Sequence, residues 1–228
     1  MKKSEFYYRG VPIGIFLLLI ISDPLQAQQE RPGSDFGVNI DLYSNYIWRG
    51  TKIGKGPSVQ PSLSFTSGGL KAGVWGAFDA SGYAEADPFL LYEFPFGLSV
   101  GFTDYYFPGQ KLFDISRSTG SQALEINGSF SKGGFTLGAN YIFNEAGGAA
   151  SEGGDKYFQA GYSFSKFSLF AGAGDGWHTS DGKFAICNIG LSASREIKIS
   201  DSFSLPVTGQ VVVNPDREQL YVVAGFTF

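Results

Sequence analysis

Beyond residue 35, apolar and polar residues alternate with a period of two over stretches of about ten residues, and no stretch sustains the longer period of an amphipathic helix. Gly, Ser, Asn, Asp and Pro punctuate the alternation. The pattern predicts twelve strands, near 36–49, 58–66, 69–79, 87–95, 97–106, 121–131, 133–144, 156–165, 166–175, 184–196, 202–214 and 219–228. Side-chain parity gives most of them one oily face and one polar face. In the first, Phe36, Val38, Ile40 and Leu42 oppose Asn39, Asp41, Tyr43 and Asn45. In the third, Leu70, Ala72, Val74 and Phe78 oppose Lys71, Trp75 and Asp79. Two places break the rule: Phe89 to Phe94 is apolar on both faces, and Asp104 falls on an oily face.

The connections sort by length. Ser67-Gly68-Gly69, Pro95-Phe96, Lys132-Gly133 and Ser165-Lys166 are tight, with a longer corner at Arg195–Asp201, whereas 50–57, 80–86, 107–120, 145–155, 176–183 and 215–218 are longer and polar. Tight turns at one end and long loops at the other are how membrane barrels are built, and the strand number is even, as they require. The expected fold is all-β: a transmembrane, antiparallel, up-and-down β-barrel of about 12 strands over 36–228, oily outside and polar within. A tilted strand crosses the hydrocarbon in roughly 9–11 residues. From Phe36, that distance places Tyr46 and Trp48 at the far interface, where an aromatic belt belongs.

Composition agrees with this reading. Aromatics are 16 %, glycines number 32, and only 17 % of residues are charged, against about a quarter in soluble domains. Lys2, Lys3 and Arg9, the apolar run 11–21 and Pro24-Leu25-Gln26-Ala27 form the order of a secretory signal peptide cleaved after Ala27. Residues 28–35 are then a short periplasmic segment. The expected location is the outer membrane of a Gram-negative bacterium, with both termini periplasmic and with lipids and lipopolysaccharide as surroundings. Tyr221, Phe226 and Phe228 in the last strand resemble the signal read by the barrel assembly machinery. A net charge of −4 without a basic stripe argues against nucleic acid as a partner. One cysteine and one histidine give no internal disulfide and no zinc site, and no cofactor is expected.

SNYIWRG (44–50), PSVQPSLSF (57–65), GLKAGVWGAFD (69–79) and TDYYFPG (103–109) resemble the TorF-type outer-membrane porin family. SNYxxRG followed by PxxQ is the most specific part. Thr51-Lys52-Ile53 departs from the family's S-Q-S after the RG pair. The resemblance implies an outer-membrane barrel and brings no catalytic residues.

The inward residues then suggest a narrow pore for small polar solutes. Gly37, Gly73, Gly101, Gly138, Gly161, Gly172, Gly174, Gly190 and Gly225 are small and inward, leaving space. The lining is Asn39, Asp41, Tyr43, Asn45, Arg49, Lys71, Trp75, Asp79, Glu93, Glu125 and Gln210, whose charges give a mild cation preference. Trp75 and Tyr221 either stack a solute or fill a constriction. The bland alternative is an interior of paired charges that plugs the barrel, leaving a structural or adhesive protein. An enzyme is the other alternative: the His178-x-Ser180 pair, with Asp175 or Asp181, resembles the outer-membrane lipid A deacylase family. It lies in a glycine-bounded loop, however, and the expectation is that the protein is not an enzyme.

Overall fold

The computed structural model describes residues 34–228, so the expected signal peptide and nearly all of 28–35 lie outside the described residues. The strands are β1 (Asp35–Tyr43), β2 (Tyr46–Trp48), β3 (Thr51–Ile53), β4 (Ser58–Ser67), β5 (Leu70–Asp79), β6 (Ala84–Glu93) and β7 (Leu98–Tyr106). They continue as β8 (Gln122–Lys132), β9 (Phe135–Ile142), β10 (Asp155–Ser163), β11 (Ser168–Gly174), β12 (Ala185–Lys198), β13 (Ser204–Asn214) and β14 (Gln219–Thr227). Twelve of them close into one antiparallel barrel in which β1 and β4 through β14 follow in chain order and β14 returns to β1. The remaining two, β2 and β3, pair only with each other.

The closing seam is short. Asp41 faces Thr227, Leu42 faces Phe226 and Tyr43 faces Gly225. Ile40 and Phe228 exchange both backbone hydrogen bonds, at 3.1 and 3.0 Å. On the inner side the Thr227 hydroxyl donates to Asp41 at 2.5 Å. Closure leaves no long sheet edge, the condition for a sheet to sit in hydrocarbon.

The outer face is apolar all round. Val38, Leu63, Val74, Leu90, Ile126, Leu137, Phe158, Leu191, Val211 and Val222 are all exposed. An apolar belt this continuous is foreign to a soluble monomer.

The inner face changes along the axis. On the side of the tight turns, Asn39, Ser62, Ser64, Lys71, Ser129, Thr136 and Thr208 keep partial access to solvent. On the side of the long loops, Gln60, Ala77, Tyr105, Glu125, Ile142, Tyr157 and Val212 are buried. The tight-turn half of the lumen keeps this partial access except at Ser168 and Ser192, which are buried, and the other half is filled.

Three boundaries differ from the expectation. β1 ends at Tyr43, so residues 44–49 leave the wall. β6 starts at Ala84, three residues before the predicted strand, which turns Glu85 and Asp87 into buried inner-face residues. β12 runs on to Lys198. Asp104 does take the outer parity of β7, near its loop-side end.

With the barrel folded into lipid vesicles, replacing the exposed, mid-strand Val211 with Arg should cost about 2–4 kcal/mol in urea unfolding, the cost of a charge on a barrel face set in hydrocarbon. Ser129→Arg, facing the wet half, should cost far less. Equal costs would mean that the two faces do not meet different solvents.

Candidate functional site

After Tyr43 the chain bends at Ser44-Asn45 and enters the lumen as the β2–β3 hairpin. Trp48 pairs with Thr51, leaving Arg49-Gly50 as a two-residue turn. Both turn residues have positive φ, 49° and 85°, the requirement of a type I′ hairpin. Arginine in this region costs about 1–2 kcal/mol relative to a residue in an allowed well, so its side chain must gain something in exchange.

Glu125 on the far wall, in β8, is what it gains. Arg49 Nη1 and Nη2 donate to Glu125 Oε1 and Oε2 at 2.6 and 2.8 Å, a two-pronged pair in which both residues are buried. The Tyr105 hydroxyl and the Asn127 amide also donate to Oε2, at 2.9 and 2.6 Å. The guanidinium carbon sits 4.8 Å from the Trp48 ring and 4.6 Å from the Tyr157 ring, close enough for cation–π attraction to both. A buried charge needs this degree of pairing.

Gly50 explains the second letter of the RG pair. A Cβ there would collide with the carbonyl oxygen of Cys187, at the register shift where β12 passes β11. Its own carbonyl accepts from Asn214 Nδ2 of β13 at 3.0 Å. The hairpin tip therefore reaches across the lumen and is held by β8, β10, β12 and β13.

Its flanks are packed as firmly. Tyr46 and Trp48 join Ala77, Tyr105, Ala123 and Ile142, while Ile47 joins Tyr43, Phe170, Val212 and Val223. Tyr46 and Trp48 are therefore no lipid-interface belt. Their parity was counted along one continuous strand, and the bend at Ser44-Asn45 carries them from wall to interior. Together they form a plug.

The 176–178 turn caps the plug from outside. Trp177 lies 6.1 Å from both Trp48 and Tyr105, and its Nε1 donates to the Ala150 carbonyl at 2.6 Å. His178, expected as a solvated loop residue, is 1 % exposed. It packs on Trp48 and Tyr157, with Nε2 3.4 Å from Arg49 Nη1. Burial, and after it the Arg49 charge, hold its pKa well below the ordinary value. The His–Ser–Asp alternative is not brought together: Ser180 Oγ donates to Asp216, Asp181 pairs with Lys183, and Asp175 pairs with Lys156.

The other expected lining residues divide by height. Asn39, Lys71 and Trp75 are half-buried on the inner face, Gln210 is buried there, and Glu93 is exposed near the tight turns. Asn45 is half-buried in the bend, and Tyr221 packs beside the Ile47 cluster. Phe226 and Phe228 are exposed on the outer face. Asp79 organises the β5–β6 loop instead of facing the pore: it accepts from the backbone of Lys55, Ser81 and Tyr83 at 2.7, 2.8 and 3.1 Å. Nor do four of the inward glycines mark open space. A Cβ at Gly73, Gly172, Gly190 or Gly225 would strike the ring of Phe89, Tyr157, Phe170 or Tyr43, respectively. Each glycine makes room for a ring lying along the wall.

Glu85 was missed because 80–86 read as a loop, and Asp87, the first residue of the predicted strand 87–95, was not counted among the lining; the alternation of Ala84-Glu85-Ala86-Asp87 was the available signal. The plug itself had only one, the arginine inside the SNYIWRG run.

These features define a class: a closed twelve-stranded β-barrel whose first long loop folds inward and stoppers one end. The chain belongs to a bacterial family of unknown function (Gcw_chp), whose model matches residues 27–203 and ends just before β13. No curated protein matches it. Solved structures similar to it include engineered mutants of the porin of Rhodopseudomonas blastica and a structure described by the words asymmetric conductivity of engineered proteins. Identity to these is 12 % and the TM-score 0.40, over 75 % of this chain and 55 % of theirs. The chain thus spans about half their length.

His178 stays neutral in the fold but titrates near about 6.5 when released. The packing it supports is therefore complete above that pH and weakens as pH falls below it. Tryptophan emission should shift to the red on acidification below about pH 6.5, and His178→Phe should remove that shift. An unchanged profile in the variant would assign the transition to another group.

Proposed function

We propose that this protein is an outer-membrane channel for passive diffusion of small hydrophilic solutes, of the TorF porin type its motifs resemble, with its outer mouth closed by its own first loop. The apolar belt supports placement in a bilayer. The first strand of the barrel begins, and the last one ends, on the side of the tight turns, which supports periplasmic termini and the long loops outside. Lipids and lipopolysaccharide would then contact the belt and the loops, and the exposed aromatic end, Phe226 and Phe228, would suit recognition by the assembly machinery. The reading involves no catalytic step.

The observation that carries it is the division of the lumen. Polar inner-face residues keep partial solvent access on the side of the tight turns, and a single hairpin, anchored by Arg49 on Glu125 and by the Gly50–Asn214 hydrogen bond, packs into the remainder. Passage then requires displacement of β2–β3. The burial of the Arg49–Glu125 pair favours a second reading, a permanently sealed barrel with a structural or adhesive role.

Planar-bilayer recording separates the two. Wild-type protein should be mostly closed with rare openings, and Arg49→Ala, which strands Glu125 without its partner, should give long-lived conducting states. Silence in both, with barrel folding verified by heat-modifiable gel mobility, would establish the sealed barrel.

A further inference from the structure

Beside the Arg49 latch, but not part of it, the inner wall of β6 carries two carboxylates two residues apart. Glu85 is 4 % exposed and Asp87 2 %. Glu85 accepts from the Tyr83 hydroxyl at 2.7 Å. Asp87 makes no hydrogen bond of good geometry, its near polar neighbours being the Tyr106 backbone N–H and the Glu85 carboxyl, and neither acid has a basic side chain in an ion pair among the described residues. Arg49, the buried cation of the plug, is committed to Glu125.

Aromatic rings gather at the same place. Trp75 of β5 is the cross-strand partner of Asp87. Tyr46, reaching in from the plug, lies 5.4 Å from Trp75 and 6.4 Å from Tyr83. Ring faces and carboxylates attract the same kind of ligand, a weakly hydrated cation. Two carboxylates are too few for Ca²⁺, which takes 6–8 oxygens, and no group of three or more metal-ligating acids, histidines or cysteines occurs among the described residues.

We infer that Glu85, Asp87, Trp75, Tyr83 and Tyr46 form a binding site for a small organic cation, a primary or quaternary ammonium. The site names a solute class for the proposed channel and rests on that reading for its role in passage, though binding itself requires no conduction. An ammonium group supplies the charge that Asp87 lacks, and its alkyl substituents rest on the rings. Tyr46 ties the site to the plug, so a bound cation contacts both the wall and the moving part.

The test is titration of the full chain, in non-ionic detergent at neutral pH, with tetramethylammonium chloride and with putrescine, followed by calorimetry and tryptophan emission. Saturable binding of at least one probe is expected, with glucose and potassium chloride giving none. Asp87→Asn and Trp75→Leu should each weaken it by about tenfold or more, the scale of one lost charge or cation–π contact. Heat-modifiable mobility verifies that each variant barrel is folded, and Glu85→Gln replaces Asp87→Asn if the latter is not. No saturation with either probe, as when the two acids share a proton instead of holding a cation, overturns the proposal; so does binding that the variants leave unchanged. Both outcomes are independent of bilayer conductance, so a silent channel and an absent site are told apart.

Discussion

A twelve-stranded barrel encloses more space than the inward side chains of its own strands fill. Eight strands are just filled by side chains, and sixteen leave an open channel. At the intermediate size the chain supplies its own stopper, and the remaining features follow from holding that stopper in place. A hairpin pushed into the lumen presents backbone and a turn to a partly dehydrated interior. Arg49 turns this difficulty into an anchor, because its guanidinium meets a carboxylate and two aromatic faces at once. Removing one partner from such a buried pair generally costs about 3–5 kcal/mol, since the other charge is left uncompensated. Arg49 and Glu125, 76 positions apart, are therefore one unit.

The same geometry makes the plug specific. A purely apolar hairpin could slide against the wall, since Tyr46, Ile47 and Trp48 would accept several packings. The fork of Arg49, the close approach of Gly50 to Cys187 and the Asn214 hydrogen bond allow one depth and one rotation. The wall is shaped to match: rings lie over inward glycines on neighbouring strands, so the lumen narrows without bulky side chains standing upright. Positive φ at Arg49 adds strain to the closed state. A stopper that is specific yet strained suits an element that leaves its seat, as strained residues tend to mark switching segments.

The barrel was legible because period-two alternation reports directly which face of a strand meets which solvent, and all twelve wall strands were found, eleven of them within three residues at each end. Misreadings came where that report fails. Parity carried past Ser44-Asn45 assigned Tyr46 and Trp48 to lipid, because alternation cannot tell an oily membrane from an oily lumen. Glu85 was lost in a loop because small outward alanines gave no hydrophobic signal at the start of β6, and Asp87, first in its predicted strand, was not counted among the lining. His178 looked solvated since burial of a loop depends on contacts across the barrel, here with Arg49, 129 positions away. The partners of Arg49 lie on strands far along the chain, and their convergence follows from closure, which no local pattern carries.

The cation site and the plug share Tyr46, and that sharing sets the sign of any coupling between them. A ligand shifts an equilibrium only by its difference in affinity for the two states. Trp75, Tyr83, Glu85 and Asp87 belong to the β5–β6 wall and its loop, which hairpin departure leaves in place, whereas Tyr46 leaves with β2. A cation that uses the Tyr46 ring therefore favours the seated plug, and by reciprocity an unseated plug binds that cation more weakly by the same factor. A cation that fills the place of Tyr46 with its own bulk has the opposite effect and holds the mouth open. Size, more than charge, would then decide whether an ammonium solute blocks the barrel or opens it, because both kinds satisfy Asp87 and only the larger one displaces the ring.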